Sequence, residues 1–360
     1  MEITRIRAGE LSEQAVDGIL AEVLDFDTLI NRGSGLGEDF DPLPAEVRRQ
    51  LSSVNDYLTH TTWIGRLGGM IVAKGLAYLP LSDNIDVADL WCAVHPAYRR
   101  QGLGSRLLQV MEEEMRAAGR TRLSSYCELP PTVRDAAPQG AHIAAGSGFG
   151  SLPSAQPDVA FLAGRGYSFR QLERCSVARV GGEATGDGPA GADEDPADRE
   201  DGYVIETWQG PTPEHRLEQI AVLHQKMSTD TPGAAEFGDE EKWDAARVRV
   251  LDAERAEKRE IVSTALALRG EEAAGFTEVA HFADRPEIGW QGSTLVAREH
   301  RGHGLGARLK IANHARLGAD SSVERVYTWN AVENTWMLAI NDAAGFATWA
   351  WVGLWKKNLA

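Results

Sequence analysis

Two stretches of this chain share one succession of apolar and polar positions. The run ADLWCAV, ending at Val94, is apolar and strand-like, and so is STLVA, ending at Ala297. A glycine-containing turn follows each. Beyond the first turn, Leu107, Leu108, Met111 and Met115 recur at three- and four-residue spacing, and Gly119 supplies a stop, which predicts an amphipathic helix. Beyond the second, Leu309, Ala312, Arg316 and Leu317 form a weaker stripe that ends at Gly318. A further strand follows in each half, RLSSYCEL and then RVYTWNA. Strand, glycine turn, helix and strand make an αβ unit in which the helix covers one face of a sheet.

The turns themselves repeat. Val94 to Leu107 reads VHPAYRRQGLGSRL, and Val296 to Leu309 reads VAREHRGHGLGARL. Arg99 and Arg301, Gly102 and Gly304, Gly104 and Gly306, and Arg106 and Arg308 align at one constant offset without a gap. An internal repeat of this kind decides the architecture: two copies of one domain. The length of 360 residues agrees, because a single core usually stops growing earlier. Between the copies, Gly181 to Gly202 is nearly all Gly, Ala, Pro, Asp and Glu and has no periodic apolar face, so it reads as an acidic linker. The expected division is therefore a first domain over 1–180 with an insertion at 130–157, a linker over 181–201 and a second domain over 202–360.

Composition then removes several function classes. A formal charge of −16 argues against a nucleic-acid partner, since phosphate backbones call for clustered Lys and Arg; it suits a cationic substrate. No apolar run approaches the ~18 residues that span a bilayer, and the N-terminus has no apolar core, so the expectation is a cytoplasmic protein with no membrane partner. Cys92, Cys127 and Cys175 show neither metal nor disulfide spacing, and no metal site is expected from them.

An R-x-x-G-x-G turn at the mouth of a helix has a physical use. Its glycines accept left-handed backbone, successive N–H groups converge on one concavity, and the positive end of the helix adds to them. A pyrophosphate fits such a site, helped by arginine. The turn lacks the GK[ST] ending of an ATP loop and the third glycine of a dinucleotide fingerprint. With its preceding V-x-P-x-Y and following helix, it resembles the acetyl-CoA-binding signature of the GCN5-related N-acetyltransferases (GNAT superfamily). A second element of that family, a helix ending in Gly plus an aromatic, is resembled by Ala160 to Tyr167 and by Asn334 to Phe346. Tandem members of this family are known, and the second half resembles a set of them typical of actinobacteria.

That resemblance implies an α/β (α+β) fold of two GNAT-like domains. Each would be a mixed, mostly antiparallel sheet flanked by helices, splayed between its fourth and fifth strands by a β-bulge, with acetyl-CoA or another acyl-CoA in the splay. The implied cofactor contacts are Val94, Arg99, Arg100, Gly102, Gly104 and Ser105 in the first half. In the second they are Val296, Arg301, Gly302, Gly304, Gly306 and Ala307, with Asn334 matching a family Asn. The implied activity is acetyl transfer to an amine of a small molecule; a peptide acceptor, or acyl-CoA binding without catalysis, are the alternatives. The reaction needs a base, oxyanion donors and an acid for the thiolate. The candidate bases are Asp86 or Asp89 in the first half and Glu278 in the second, with His281 beside it. The backbone near Val94 or Val296 would hold the oxyanion. At the family's Tyr position stand Leu162 and Asn341, which leaves Tyr126 and Tyr327 as substitute acids. Asn334 and Glu278 together point to the second half as the one that reacts. Tryptophans crowd the last quarter at 329, 336, 349, 351 and 355, as core or as the wall of an acceptor pocket.

Overall fold

The computed structural model describes residues 1–135, 140–180, 201–230 and 234–359, and the chain divides into two compact units. Most of the expected linker, 181–200, lies outside the described residues. The first unit comprises Met1–Glu173 together with Glu236–Gly238 and Ala350–Ala360; the second comprises Arg174–Ala235 and Asp239–Trp349.

In the first unit β1 (Glu2–Arg7), α1 (Glu13–Ser34) and α2 (Pro44–Ser52) precede a meander of β2 (Leu58–Leu67), β3 (Met70–Pro80) and β4 (Val87–Val94). The β2–β3 hairpin closes through Gly68 and Gly69, whose φ of 56° and 87° a tight two-residue turn demands. Then come α3 (Leu103–Ala117) and β5 (Arg122–Leu129). Strand order is β1-β2-β3-β4-β5. Alternation assigns the faces: Ile64 and Ile71 join Val16, Val23, Phe26, Val47 and Leu51 in a core beneath α1 and α2. On the opposite face Gly75 lies so close to Met111 of α3 that a Cβ would sit 2.4 Å from its sulfur.

The expected insertion at 130–157 is partly regular. It holds α4 (Pro131–Asp135) and a small antiparallel pair of β6 (His142–Ala144) and β7 (Ser151–Pro153), anchored by buried Leu152. It is followed by α5 (Pro157–Gly164) and β8 (Ser168–Arg179).

The second unit repeats the plan with β9 (Tyr203–Gln209), α6 (Leu217–Asp230), α7 (Ala234–Phe237), α8 (Ala245–Glu257), β10 (Glu260–Arg269), β11 (Glu272–Phe282) and β12 (Arg285–Val296). After these come α9 (Leu305–Asp320), β13 (Arg325–Ala331), α10 (Thr335–Ala343) and β14 (Ala347–Asn358). Strand order is β9-β10-β11-β12-β13, with β8 next to β13. Leu217, Ile220, Leu223, Val248, Leu266 and Phe276 form the core under α6 and α8.

The terminal strands carry an exchange that alternation alone does not reveal. Val180 N–H donates to Glu324 O, and Ala178 packs with Val326 and Phe346, so the end of β8 completes the second unit. Conversely, β14 pairs antiparallel with β5 from Trp351/Leu129 to Asn358/Arg122. Trp355, fully buried, stacks at 5.2 Å on Phe169 and donates its indole N–H to Cys127 Sγ.

Candidate active site

The splay is present in both units. β4 and β5 run parallel for three pairs, Val87/Arg122, Ala88/Leu123 and Asp89/Ser124, and the pairing then stops although both strands continue. β12 and β13 do the same over Ile288/Arg325, Gly289/Val326 and Trp290/Tyr327. The means differ. In the second unit the β11–β12 register shifts between Thr277/Thr294 and Val279/Gln291, a bulge opposite Glu278. In the first, β3 and β4 keep one register from Ala73/Val94 to Tyr78/Asp89.

Backbone groups face into each opening. His95 N–H donates to Val72 O and Ala297 N–H to Ala274 O, on the meander side. Successive N–H groups of a strand point to opposite sides, so those of Val94 and Val296 are directed into the splay. Each glycine turn then bends the chain into its helix. Gly102 and Gly304 cap α3 and α9 in the left-handed region, at φ 79° and 68°, and supply no side-chain cap. The first bond inside each helix is made by Arg106 N–H and Arg308 N–H. The N–H groups of Leu103, Gly104 and Ser105, and of Leu305, Gly306 and Ala307, therefore have no partner within their helices. Gly104 has a second constraint: a Cβ there would meet Val94 at 3.3 Å and Phe161 at 3.6 Å. A pyrophosphate fits both turns by backbone geometry.

The arginines separate the two. Arg99 and Arg301 each turn back to donate Nε–H to the carbonyl of Val94 or Val296, at 3.1 Å in both. Beyond that, Arg99, Arg100 and Arg106 are exposed, and among the described residues none closes an ion pair. Arg99 still acts on Asp158, whose carboxyl burial raises and Arg99 pulls back. In the second unit Arg298 and Arg301 both lean on Asp230, at 3.1 and 3.8 Å, and buried Arg308 pairs with Asp201 at 2.7 Å. Arg100 also holds φ 63°, a strained value for a side-chain-bearing residue, where the second turn has Gly302.

The candidate bases divide as sharply. Asp89 sits in the last parallel pair at the mouth of the first splay, and Ser124 Oγ–H donates to its Oδ1. Solvent reaches the Asp89 side chain, yet protein packed around it desolvates the carboxyl and pushes it up to about 6. Asp86 is held by Arg122 through two bonds of 2.6 and 2.8 Å that lower its carboxyl below the usual range. Strand alternation puts Ser124, Tyr126 and Glu128 on the face of Asp89, and burial raises Glu128 to about 7. Tyr126 is exposed there.

Glu278 is nearly inaccessible at 4 % exposure, clamped by Arg255 through bonds of 3.1 and 2.9 Å. Burial works to raise this carboxyl, but the charges of Arg255 and His224 and the Arg255 hydrogen bonds leave it lowered. The Arg255 pair thus holds this carboxylate in its ionised form. His281 is buried and lowered by desolvation. Tyr327 is buried among aromatic rings, stacked 5.4 Å from Trp290 and edge-on 5.7 Å from Trp349, with Trp329 stacked 5.8 Å from Trp290. Asn334 caps α10, its Oδ1 accepting from Met337 N–H at 3.3 Å. Asn341 is fully buried between Lys310 Nζ and Asn330, both at 2.6 Å. Of the remaining tryptophans, Trp336 is 83 % exposed and Trp351 stacks under Arg134 at 3.8 Å.

Residues 34–134, which hold the first glycine turn, match the model of the acetyltransferase (GNAT) family. Over 99 % of this chain and 98 % of its own, a tandem GNAT protein from the clavulanic acid biosynthesis pathway is similar at TM-score 0.72 and 22 % identity. Residues 34–134 thus match the GNAT family, and the whole chain has the fold of a tandem GNAT protein. A GCN5-related N-acetyltransferase from Sphaerobacter thermophilus shares this fold at TM-score 0.59 and 16 % identity, over 98 % of this chain and 95 % of that one. An acetyltransferase-like protein of Pyrococcus horikoshii does so at 0.54 and 11 %, over 99 % and 90 %. No curated protein matches the sequence. Among the described residues, no helix is long and apolar enough to cross a membrane.

Proposed function

We propose that this chain is an N-acetyltransferase that uses acetyl-CoA and acts on an amine of a small molecule in the cytoplasm, with the reaction in the first unit. One observation carries the choice of unit. Among the bases read from the sequence, Asp89, in a desolvated but solvent-reached position at the mouth of the splay, has a proton affinity raised to about 6 and, among the described residues, no cation clamped on it; Glu128 shares its face. Sequence reasoning places the reaction in the second half through Glu278 and Asn334, but the first is locked to Arg255 and the second spent on a helix cap.

The first turn suits the pyrophosphate of CoA, with the N–H groups of Leu103, Gly104 and Ser105 open and Arg99, Arg100 and Arg106 supplying charge. Acetyl-CoA supplies the acyl thioester. Asp89 accepts a proton from the incoming ammonium, directly or through one water, and Ser124 holds its carboxylate in place. The freed amine forms the new C–N bond, the C–S bond breaks, and the Val94 N–H faces the oxygen that carries charge in between. Tyr126, exposed on the same face, is a phenol placed to reprotonate the departing thiolate.

The test is binding stoichiometry followed by turnover. Titration calorimetry of the intact chain with acetyl-CoA should give about one site, abolished by Gly102→Val and retained in Gly304→Val. A single site that disappears in Gly304→Val and persists in Gly102→Val would place the cofactor in the wrong unit. Release of free thiol should then depend on a supplied primary amine.

A further inference from the structure

We propose that the second unit carries a divalent transition-metal site, of the zinc class, built from His300, Glu299 and Glu272. One imidazole nitrogen and two carboxylate oxygens from these residues all lie within 4.8 Å of one another. His300 is 4 % exposed, and its Nδ1 lies 3.1 Å from the hydroxyl of Tyr203. That contact fixes the ring through Nδ1 and leaves Nε2 on the side of Glu272. Nε2 is buried and has no hydrogen-bond partner; Glu272 Oε1 is 3.5 Å away, too far for a good hydrogen bond. A buried ring nitrogen without a partner is costly, and a metal ion is one of the few species that would satisfy it with two carboxylates alongside.

The fold does not impose this cluster. At the same offset that aligns the glycine turns, the first unit has Met70, Ala97 and Tyr98 in place of Glu272, Glu299 and His300. None of the ligating types is shared. The sequence shows no metal motif because Glu272 comes from the start of β11, just past the β10–β11 turn, while the other two follow β12. Tyr203, at the start of β9, is the outer group that orients the ligating histidine, the usual partner arrangement for such a site.

The donor set selects the ion. Imidazole with two carboxylates favours Zn²⁺ and its transition-metal neighbours, whereas Mg²⁺ and Ca²⁺ favour oxygen alone. Tetrahedral Zn²⁺ needs ligand atoms about 3.4 Å apart, given bonds near 2.1 Å. The two glutamates, 62 % and 47 % exposed along their side chains, are free to close that gap. Lys226 Nζ now sits on Glu299, so the site already draws a cation, and the metal must displace this ammonium. Once bound, the ion ties the short 3₁₀ turn Arg298–His300 to the beginning of β11. The second glycine turn, whose arginines are neutralised by Asp230, would thus be braced by a cation where the first offers charge to an anion.

The experiment uses the full-length, untagged chain, stripped with chelator and titrated with ZnCl₂ by calorimetry, with MgCl₂ as control. One Zn²⁺ per chain at micromolar Kd is expected, with a rise in Tm of several degrees that MgCl₂ does not give. Glu272→Gln, on an exposed side chain that folding does not need, should weaken that binding at least tenfold, and His300→Gln should abolish it. No saturable Zn²⁺ binding overturns the proposal. So does binding that Glu272→Gln leaves unchanged, because the ion would then sit elsewhere on the chain.

Discussion

Four corresponding positions distinguish the two splays, and they change the chemistry more than the backbone does. In the last parallel pair the first unit has Asp89 and Ser124, where the second has Trp290 and Tyr327 stacked face to face at 5.4 Å. Further along the outer strand Tyr126 and Glu128 of the first unit correspond to Trp329 and Ala331 of the second. One opening is lined with groups that accept and donate protons; the other is filled with aromatic rings. The turns follow the same division, with arginines that close no ion pair among the described residues in the first and are matched to Asp230 and Asp201 in the second. Both halves keep strand, turn and helix, which each needs to fold. The titratable groups are under no such requirement, and packing residues stand in their place in the second half.

The largest effect should come from the base. Asp89→Asn is expected to lower kcat by about 10²- to 10⁴-fold, the usual contribution of a positioned general base, with little change in acetyl-CoA affinity. The wild-type rate should rise with pH through a limb near 6 and level above it, because Asp89 accepts protons only when ionised. The sign for stability is opposite. A carboxyl raised in the folded state favours its neutral form, so this residue's contribution is lost as pH rises from the ordinary carboxylate range through about 6. Asp89→Asn should remove both the kinetic limb and that component of the Tm profile. An unchanged pH–rate profile in the mutant would collapse the distinction between the units.

Glu278→Gln should do the reverse. Removing Glu278 leaves Arg255 with the longer contact to Asp252 at 3.6 Å, and breaking a buried ion pair of this kind costs up to about 3 kcal/mol. A marked fall in Tm is expected, with kcat per folded molecule within about twofold of wild type. Because this carboxyl is lowered in the fold, the stability it confers is present above the ordinary carboxylate range and is lost as pH falls through and below it. The Tm difference between wild type and Glu278→Gln should therefore shrink at low pH. A collapse of turnover with Tm intact would return the reaction to the second unit.

What the sequence shows well is local. The glycine turns, their helices and the strands around them follow from periodicity and from the repeat, and the splay follows from the resemblance those residues carry. Asp89 is also visible as a candidate, because its place just before the turn is a matter of counting. What the sequence does not show is pairing across space. Alternation marks Ser168–Arg179 and Ala347–Asn358 as strands but cannot say which sheet each will join, so their exchange between units goes unseen. Arg255 lies on a helix, and nothing in its spacing announces that it will meet Glu278. The same holds for Asp230, which turns two plausible phosphate ligands into partners of a carboxylate.

A moderate effect follows from that last point. Asp230→Asn should free Arg298 and Arg301, and the N–H groups of Leu305, Gly306 and Ala307 are already disposed to receive an anion. Calorimetry of this variant should detect a second, weak acetyl-CoA or pyrophosphate site that wild type lacks. If none appears, the aromatic filling around Trp290 closes the second splay by itself, and charge is not what separates the turns.

The smallest effect tests whether strain in the first turn serves binding. Arg100 holds a left-handed φ of 63° at an exposed position, where the second turn has Gly302 at 87°. That conformation costs a side-chain-bearing residue about 1–2 kcal/mol, and glycine would relieve it while losing about 0.5–1 kcal/mol to chain entropy. Arg100→Gly should therefore leave Tm unchanged or raise it by a degree or two. Its acetyl-CoA affinity should drop several-fold, and less so at high salt, because the lost contact is an exposed charge against phosphate. A variant both more stable and equally tight would mean that Arg100 is tolerated rather than used. The case for the first turn would then rest on Arg99, Arg106 and the open N–H groups alone.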